Sequence, residues 1–136
     1  QKAPSGKKHL YLPWPGGQMK FSVVYDEKTK LYWMVGTQST DSMTRPELLP
    51  EDRFCLADNE RRRLVLHFSK NMVDWCFAGV VAIGPVEKAS RHYPNMVIDN
   101  NDLLIMSRSG DREAKDPHNG NIITFHRVQD FRRLVY

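Results

Sequence analysis

Short apolar segments separated by polar turns run along most of this chain, and within most of them apolar and polar side chains alternate. Alternation with a period of two is typical of β-strands that place one face on a core. Turn-forming stretches such as DEKTK, SKN, DNND and HNGN lie between the segments, and helical periodicity is scarce. The pattern therefore predicts an all-β protein, a meander of hairpins. The predicted strands are residues 20–26, 30–37, 63–69, 76–83, 94–99, 102–109 and 121–128.

The strands fall into two sets with the same outline. FSVVYDEKTKLYWMVGTQ and PNMVIDNNDLLIMSRSG each read as a strand, an Asp-led turn and a strand that opens with Leu. In both sets a long polar connection and a third strand follow, and then a turn carries Asn71 or Asp130. Each set predicts a four-stranded antiparallel unit, which is the anatomy of a β-propeller blade. We expect a first blade at about residues 18–83 and a second, incomplete blade at about residues 91–136.

Two blades are too few for a propeller, because closing the ring takes about four. We therefore expect the remaining blades of the same propeller to accompany this chain, as if it were a C-terminal or internal part of a larger protein. A complete two-blade chain would have to oligomerise or form a two-sheet sandwich, since isolated blades would leave apolar faces in water.

The turn SKNMVDW at residues 69–75 resembles the Asp-box, a Ser-x-Asp-x-x-x-Trp turn, of sialidase-like glycoside hydrolase propellers. Asn71 stands where the family has its acid, and the family's Gly is absent. The segment YPNMVIDNNDLLIMSRS is similar to the sialidase pattern of strand, Asp-containing turn and strand ending on Arg. The runs PHNGNIITFHRVQDFRRLVY and PGGQMKFSVVYDEKTKLYW are similar to bacterial proteins described as sialidase-family. The resemblance runs from about Leu12 onward. It implies hydrolysis of terminal sugars, or, as the alternative, a non-catalytic carbohydrate-binding or protein-interaction propeller.

Arg108 is the strongest candidate for a substrate-binding residue. In DLLIMSRS it shares a strand face with Leu104 and Met106, and an Arg on an apolar face needs an anionic partner or a solvated end. The sialidase resemblance implies that it belongs to the arginines that clamp the substrate carboxylate. The alternative is a structural ion pair with Asp102 or Asp111.

Arg91, His92 and Tyr93 form a polar and aromatic cluster of the kind that sugar sites use. Retaining sialidases use a Tyr nucleophile beside a Glu, which makes Tyr93 a candidate nucleophile. However, the family's Tyr follows its arginines, whereas Tyr93 precedes Arg108, and the usual Glu has no clear equivalent. Substrate contact or plain packing is the alternative for Tyr93.

The long loops supply further candidates, because the binding residues of propellers collect on the loops of one face. Asp41 and Arg45 lie in the first long loop and His118 in the second. A loop carboxylate such as Asp41 could serve as general acid or base, and the alternative is a solvated or turn-forming role. Trp14, in LPWPGGQ, could stack on a sugar ring or anchor the start of the first blade.

The composition limits the classes of ligand and partner that we expect. The chain has 136 residues, is 40% hydrophobic and carries 20 Lys and Arg against 16 Asp and Glu, so a core is expected and an anionic ligand is permitted. The short basic clusters at 61–63 and 132–133 lack interleaved aromatics, and we expect no nucleic-acid partner. No stretch of about 18 apolar residues predicts a membrane span. No metal-ligand spacing predicts a metal or cofactor site.

The glycan substrate implied by the resemblance favours a secreted or periplasmic protein. The N-terminal stretch has neither Met nor a signal-like apolar segment, which fits a mature chain or a fragment. Cys55 and Cys76 leave one disulfide or two thiols open.

Overall fold

A computed structural model describes residues 2, 4–8, 11–17, 19–48, 51 and 60–136. Within this part the fold is all-β, as predicted, with two antiparallel sheets and short helical segments at Asp41–Thr44 (α1), Pro46–Leu48 and Phe131–Leu134. The strands are β1 (Ser22–Asp26), β2 (Leu31–Thr37), β3 (Arg63–Ser69), β4 (Cys76–Ile83), β5 (Arg91–Asp99), β6 (Asp102–Ser109) and β7 (Ile122–Val128).

Each sheet keeps its strands in chain order. Sheet 1 has the order β1-β2-β3-β4 and sheet 2 has the order β5-β6-β7, with antiparallel pairing throughout. Short hairpin turns produce the pairs β1–β2, β3–β4 and β5–β6, because a tight turn sets its two strands side by side. The pairs β2–β3 and β6–β7 form across long connections.

The tight turns are held by side chains of their own residues. Asp26 accepts the backbone N–H of Thr29 at 3.2 Å and its hydroxyl at 2.6 Å, which closes the β1–β2 turn. Between β3 and β4, Ser69 Oγ accepts the N–H of Met72 at 2.9 Å, and Asn71 Oδ1 accepts the N–H of Asp74 at 2.9 Å. Such short polar side chains replace missing backbone partners, which explains why the turns lie at these residues.

The two sheets face each other across one shared core. Phe131, which follows β7, is fully buried and packs edge-on against Trp33 of β2, with ring centroids 4.9 Å apart. Burying these large side chains supplies most of the stabilisation of a sheet pair. The buried core residues are Trp33, Val35, Leu64, Leu66 and Phe68 from sheet 1, and Met96, Leu103, Ile105 and Phe131 from sheet 2 and the turn after it.

The three long connections leave the sheets at one end, which we call the loop end. They follow β2, β4 and β6, and the described part of the first covers residues 38–48, 51 and 60–62. The backbone N–H of Arg91 donates to the carbonyl oxygen of Arg61 at 2.7 Å, which joins the start of β5 to the residues before β3. This contact brings the loop ends of the two sheets together.

Candidate functional site

Arg61, just before β3, meets the first residues of β5 at the loop end. Its guanidinium is buried, and Nη1 lies 2.9 Å from His92 Nδ1 and 3.1 Å from Tyr93 Oη. Because a guanidinium can only donate, His92 Nδ1 accepts, and the proton of the neutral ring lies on Nε2. Arg61 therefore fixes the tautomer of His92.

His92 is completely buried and electrically neutral. Burial, followed by the positive charges of Arg61 and Arg108 and by the His118 side chain, lowers its pKa to about 3. Its Nε2 and the Nε of Arg61 are both buried, and neither has a hydrogen-bond partner within the described residues. An acceptor atom on a bound ligand would give these two buried N–H groups the hydrogen bonds that they lack.

Tyr93 occupies a strained position in β5. Its φ is +48°, in the left-handed region, and the β5–β6 register shifts between His92 and Asn95, so β5 bulges at this residue. The half-buried ring has Lys20 Nζ at 5.4 Å and Arg61 Cζ at 5.5 Å from its centroid. Strained non-Gly residues are concentrated at functional sites, and here the strain places an aromatic ring between two cations.

His118 and Arg108 complete this group. The His118 ring lies 6.5 Å from the rings of both His92 and Tyr93, and its loop is held by Asp116, which accepts the His118 N–H at 2.8 Å. Arg108 is paired directly opposite His92 in the β5–β6 register and lines a pocket of about 340 Å³ beside β7. We call Lys20, Arg61, His92, Tyr93, Arg108 and His118 the cationic cluster.

Arg108 is not held by either predicted acid. Asp102 is bonded instead to Arg127, with Nε donating at 2.6 Å, and Asp111 accepts from the side-chain amide of Asn121 at 2.9 Å. Across the residues that the structure describes, no carboxylate pairs with Arg108 or with Arg61. The cluster thus gathers cations without described counter-charges.

Arg91, the third residue of the predicted β5 group, braces the backbone rather than joining the cluster. Its Nη1 donates to the carbonyl oxygens of Ser90 at 2.7 Å and Gly110 at 2.8 Å. These bonds tie the start of β5 to the loop that carries His118. Arg91 therefore braces the backbone beside the site through Nη1.

Asp41 and Arg45 lie in and after α1, in the first long loop. Asp41 accepts from Arg63 Nη2 at 3.0 and 3.1 Å and from Arg45 Nη2 at 2.9 Å. Burial raises the pKa of Asp41, but the hydrogen bonds from the two arginines outweigh it and leave the pKa below its ordinary value. Asp41 is therefore ionised and is not a proton donor, and its lowered pKa also makes it a weak base.

Glu60 anchors α1 next to the cluster. Its carboxylate accepts the backbone N–H groups of Thr40 at 2.6 Å, Asp41 at 2.7 Å and Ser42 at 2.9 Å, and Arg63 Nη1 at 2.7 Å. Burial raises the pKa of Glu60, but these backbone donors outweigh it and the net shift is downward. Because Glu60 precedes Arg61, this anchor also fixes Arg61. Asp41, Glu60 and Arg61 share a pocket of about 230 Å³.

Trp14 lies apart from the cluster and in contact with other aromatic rings. Its ring is 4.8 Å from Phe21 and 5.0 Å from Trp75, between centroids, and it is half-buried. These contacts join the segment before β1 to the turn before β4. The geometry favours the anchoring alternative for Trp14 over sugar stacking.

Two members of the cluster were not predicted from the sequence, Arg61 and Lys20. Arg61 belongs to the basic triplet 61–63, which by sequence alone is interpreted as a solvated strand edge. Its hydrogen-bond partners in β5, His92 and Tyr93, lie 31 and 32 residues further along the chain. The one sequence feature that indicates burial of Arg61 is the strongly apolar strand β3, which begins two residues later. Lys20, beside β1, carries no sequence signal at all.

A pocket of about 490 Å³, lined in part by Lys88, Arg112 and Lys115, also lies in the described chain. No group of three or more His, Cys, Asp or Glu side chains within it could hold a metal ion. No helix there is long and apolar enough to cross a membrane. Cys76 is an exposed free thiol, and Cys55 lies outside the described residues.

No protein-family model matches the chain, and no curated protein matches it either. The site is therefore interpreted from its own geometry and charge.

Proposed function

We propose that this chain belongs to a carbohydrate-active, sialidase-like protein and binds the carboxylate of an acidic terminal sugar at the cationic cluster. The observation that carries the proposal is that Lys20 and Arg61 both lie over the Tyr93 ring while Arg61 also bonds to His92. Arg108 is paired opposite His92, and no described carboxylate pairs with either arginine. Like charges held this close repel one another, and a bound anion would remove that cost.

Each group has a task that its chemistry suits. The planar guanidinium of Arg108 is suited to bidentate binding of a carboxylate, and its pocket is open beside β7. His92 offers a neutral Nε2–H donor that does not add to the charge. Tyr93 offers a half-buried ring against which the apolar face of a sugar can pack.

The proposal extends to the architecture. Two antiparallel sheets packed face to face are what neighbouring propeller blades look like, and sheet 1 has the four strands of a blade. In the 69–75 turn, Ser69 and Asn71 hold the backbone as an Asp-box would. These features support blades at about 18–83 and 91–136, completed by further blades, and a secreted or periplasmic location follows from the glycan ligand.

Hydrolysis of the bound sugar is a second candidate function, and the pocket shared by Asp41 and Arg61 favours it. Asp41 would act there as the base, and its lowered pKa makes it a weak one. Tyr93 would be the nucleophile, with Arg61 Nη1 donating to its hydroxyl oxygen. However, no carboxylate in the described part bonds to Tyr93, so its proton has no visible acceptor. Binding is therefore better supported than catalysis.

Calorimetric titration with sialyllactose and with neutral lactose tests the binding. We expect heat of binding with sialyllactose alone, and a loss of about tenfold or more in affinity for Arg108→Ala and for Tyr93→Ala, which removes the ring against which the sugar packs. Arg133→Ala, which removes an exposed arginine at the opposite end, is the matched control and should bind as the parent does. Equal affinity for the two sugars, or full affinity in Arg108→Ala, would contradict the proposal.

A fluorogenic screen over sialosides and neutral glycosides separates the two candidates. Turnover that Tyr93→Phe abolishes while binding persists would establish the hydrolase. Binding of the acidic sugar without turnover on any glycoside would leave the carbohydrate-binding function alone.

A further inference from the structure

The loop end holds a second group of cations outside the cationic cluster. The pocket of about 490 Å³ opens there between the connection that follows β4 and the one that follows β6. Three exposed cationic residues line it, and we call this pocket with its cations the basic pocket. They are Lys88, Arg112 and Lys115.

The charges of the basic pocket are not balanced. Within the described residues none of its three cations forms an ion pair. The pocket also has two carboxylates, Glu87 and Asp116, so three cations against two acids leave one positive charge in surplus. Clefts with a surplus of one sign concentrate ligands of the opposite charge.

Asp116 is engaged in its own turn rather than with the cations. Its Oδ1 accepts the backbone N–H groups of His118 and Asn119, both at 2.8 Å, and its Oδ2 accepts the side-chain amide of Asn119 at 2.7 Å. The hydrogen bonds from Asn119 and, to a smaller extent, the charge of Lys115 lower the pKa of Asp116. Asp116 therefore stays ionised, yet it leaves Lys115 without a direct partner.

The basic pocket adjoins the cationic cluster. Pro117 lines the pocket, and the next residue is His118 of the cluster, whose ring lies 6.5 Å from that of Tyr93. Glu87 lines both the basic pocket and the pocket of about 230 Å³ that Arg61 lines. A ligand that is bound at the cluster and extends along the loop end therefore reaches the basic pocket.

We propose that the basic pocket binds a second anionic group of the same glycan, so that the preferred ligand carries a carboxylate or sulfate next to its terminal acidic sugar. This inference rests on the proposed function, because it takes the cationic cluster as the site of the terminal sugar. One exposed ion pair contributes little to affinity by itself. A second anion on the same molecule is held at a high effective concentration once the first is bound, so three cations together give a measurable gain.

Calorimetric titration of the 136-residue chain with three glycans tests the inference. Sialyllactose has one anionic group, disialyllactose adds a second carboxylate, and sulfated sialyllactose adds a sulfate. We expect disialyllactose to bind about tenfold more tightly than sialyllactose. The sulfated glycan distinguishes the anions, since an equal gain shows selection by charge alone and no gain identifies the second group as a carboxylate. Raising the ionic strength should reduce the gain, because exposed charges are screened.

A triple variant replaces the cations of the basic pocket with uncharged side chains: Lys88→Met, Arg112→Met and Lys115→Met. The ratio of the affinities for disialyllactose and sialyllactose should fall to about one. The matched control removes three exposed cations at the opposite end of the sheets: Lys28→Met, Lys70→Met and Arg133→Met. Its net charge equals that of the first variant, and it should keep the gain.

The outcomes separate this inference from the proposed function. Equal affinity of the parent for all three glycans would overturn the inference and leave the proposed function standing. Loss of the gain in both triple variants would show attraction by net charge and would equally refute a role for the pocket. A parent that binds none of the glycans would refute the proposed function and the inference together. If the first variant loses its folded circular dichroism spectrum, Lys115→Met alone replaces it and should reduce the gain at least about twofold, with Lys70→Met as its control.

Discussion

Arg132 forms a two-pronged ion pair with Asp26, 106 residues earlier in the chain. Arg132 Nε donates to Oδ2 at 2.8 Å and Nη2 donates to Oδ1 at 2.7 Å, and only 3% of the Asp26 side chain is exposed. Asp26 also closes the β1–β2 turn through Thr29, so one carboxylate both shapes sheet 1 and binds the segment that follows sheet 2. Paired charged bonds of this geometry are among the strong ones in proteins.

Removing one partner of this pair should be costly. Arg132→Ala leaves Asp26 buried and uncompensated, and we expect the free energy of unfolding to fall by about 3 kcal/mol. Urea denaturation at neutral pH measures the change. Arg133→Ala removes the adjacent, exposed arginine and should alter stability by no more than about 0.5 kcal/mol. Equal effects of the two substitutions would show that the pair does not hold the sheets together.

The same pair predicts how stability depends on acid. The hydrogen bond from Arg132 lowers the pKa of Asp26 far below its ordinary value of 3.8, which the unfolded chain retains. A carboxylate with a depressed folded pKa stabilises the fold above its unfolded pKa, and that contribution is lost as the pH falls towards the folded pKa. Because the unfolded state is common to both proteins, the stability gap between parent and Arg132→Ala should shrink as the pH falls below the folded-state pKa of Asp26 in the variant, which is higher than in the parent. Urea denaturation at a series of pH values measures the gap, and a gap that grows with acid would contradict this assignment.

The strands could be predicted from the sequence because a period of two is a local signal, and every predicted strand appears within the described residues. Which face points inward could not be predicted. Leu64, Val65 and Leu66 are consecutive and all buried, so alternation carries no information about the core side of β3. That side is set by the packing of sheet 2, which is a tertiary effect.

The candidate site was also only partly predictable from the sequence. His92, Tyr93 and Arg108 were predicted from short motifs, and strand pairing brings them together because His92 lies opposite Arg108. Arg61 was missed because its contact with β5 crosses between the sheets. The left-handed φ of Tyr93 was missed because a bulge leaves no pattern in the residues around it.

The tautomer of His92 is a direct test of the cluster. Because Arg61 donates to Nδ1 and burial lowers the pKa to about 3, the ring should be neutral, with its proton on Nε2. Long-range ¹H–¹⁵N NMR spectra should show this tautomer with shifts that do not move between about pH 5 and pH 8. In Arg61→Met the preference for Nε2–H should weaken, since Nδ1 loses its donor. A His92 signal that titrates near its ordinary pKa would show that the ring is neither buried nor in contact with Arg61.

Substitution of Trp14 tests whether this residue stabilises the fold or binds the sugar. Its contacts with Phe21 and Trp75 close part of the outer surface of sheet 1, and none of the contacts described for it reaches the cationic cluster. Trp14→Ala should therefore lower the free energy of unfolding by about 2 kcal/mol, less than for a fully buried Trp because the ring is half-buried. Affinity for sialyllactose should stay within about twofold of the parent, since a change that small is below 1 kcal/mol. Met43→Ala, at an exposed apolar residue, should change neither quantity. A large loss of sugar affinity with unchanged stability would instead place the ring of Trp14 against the sugar.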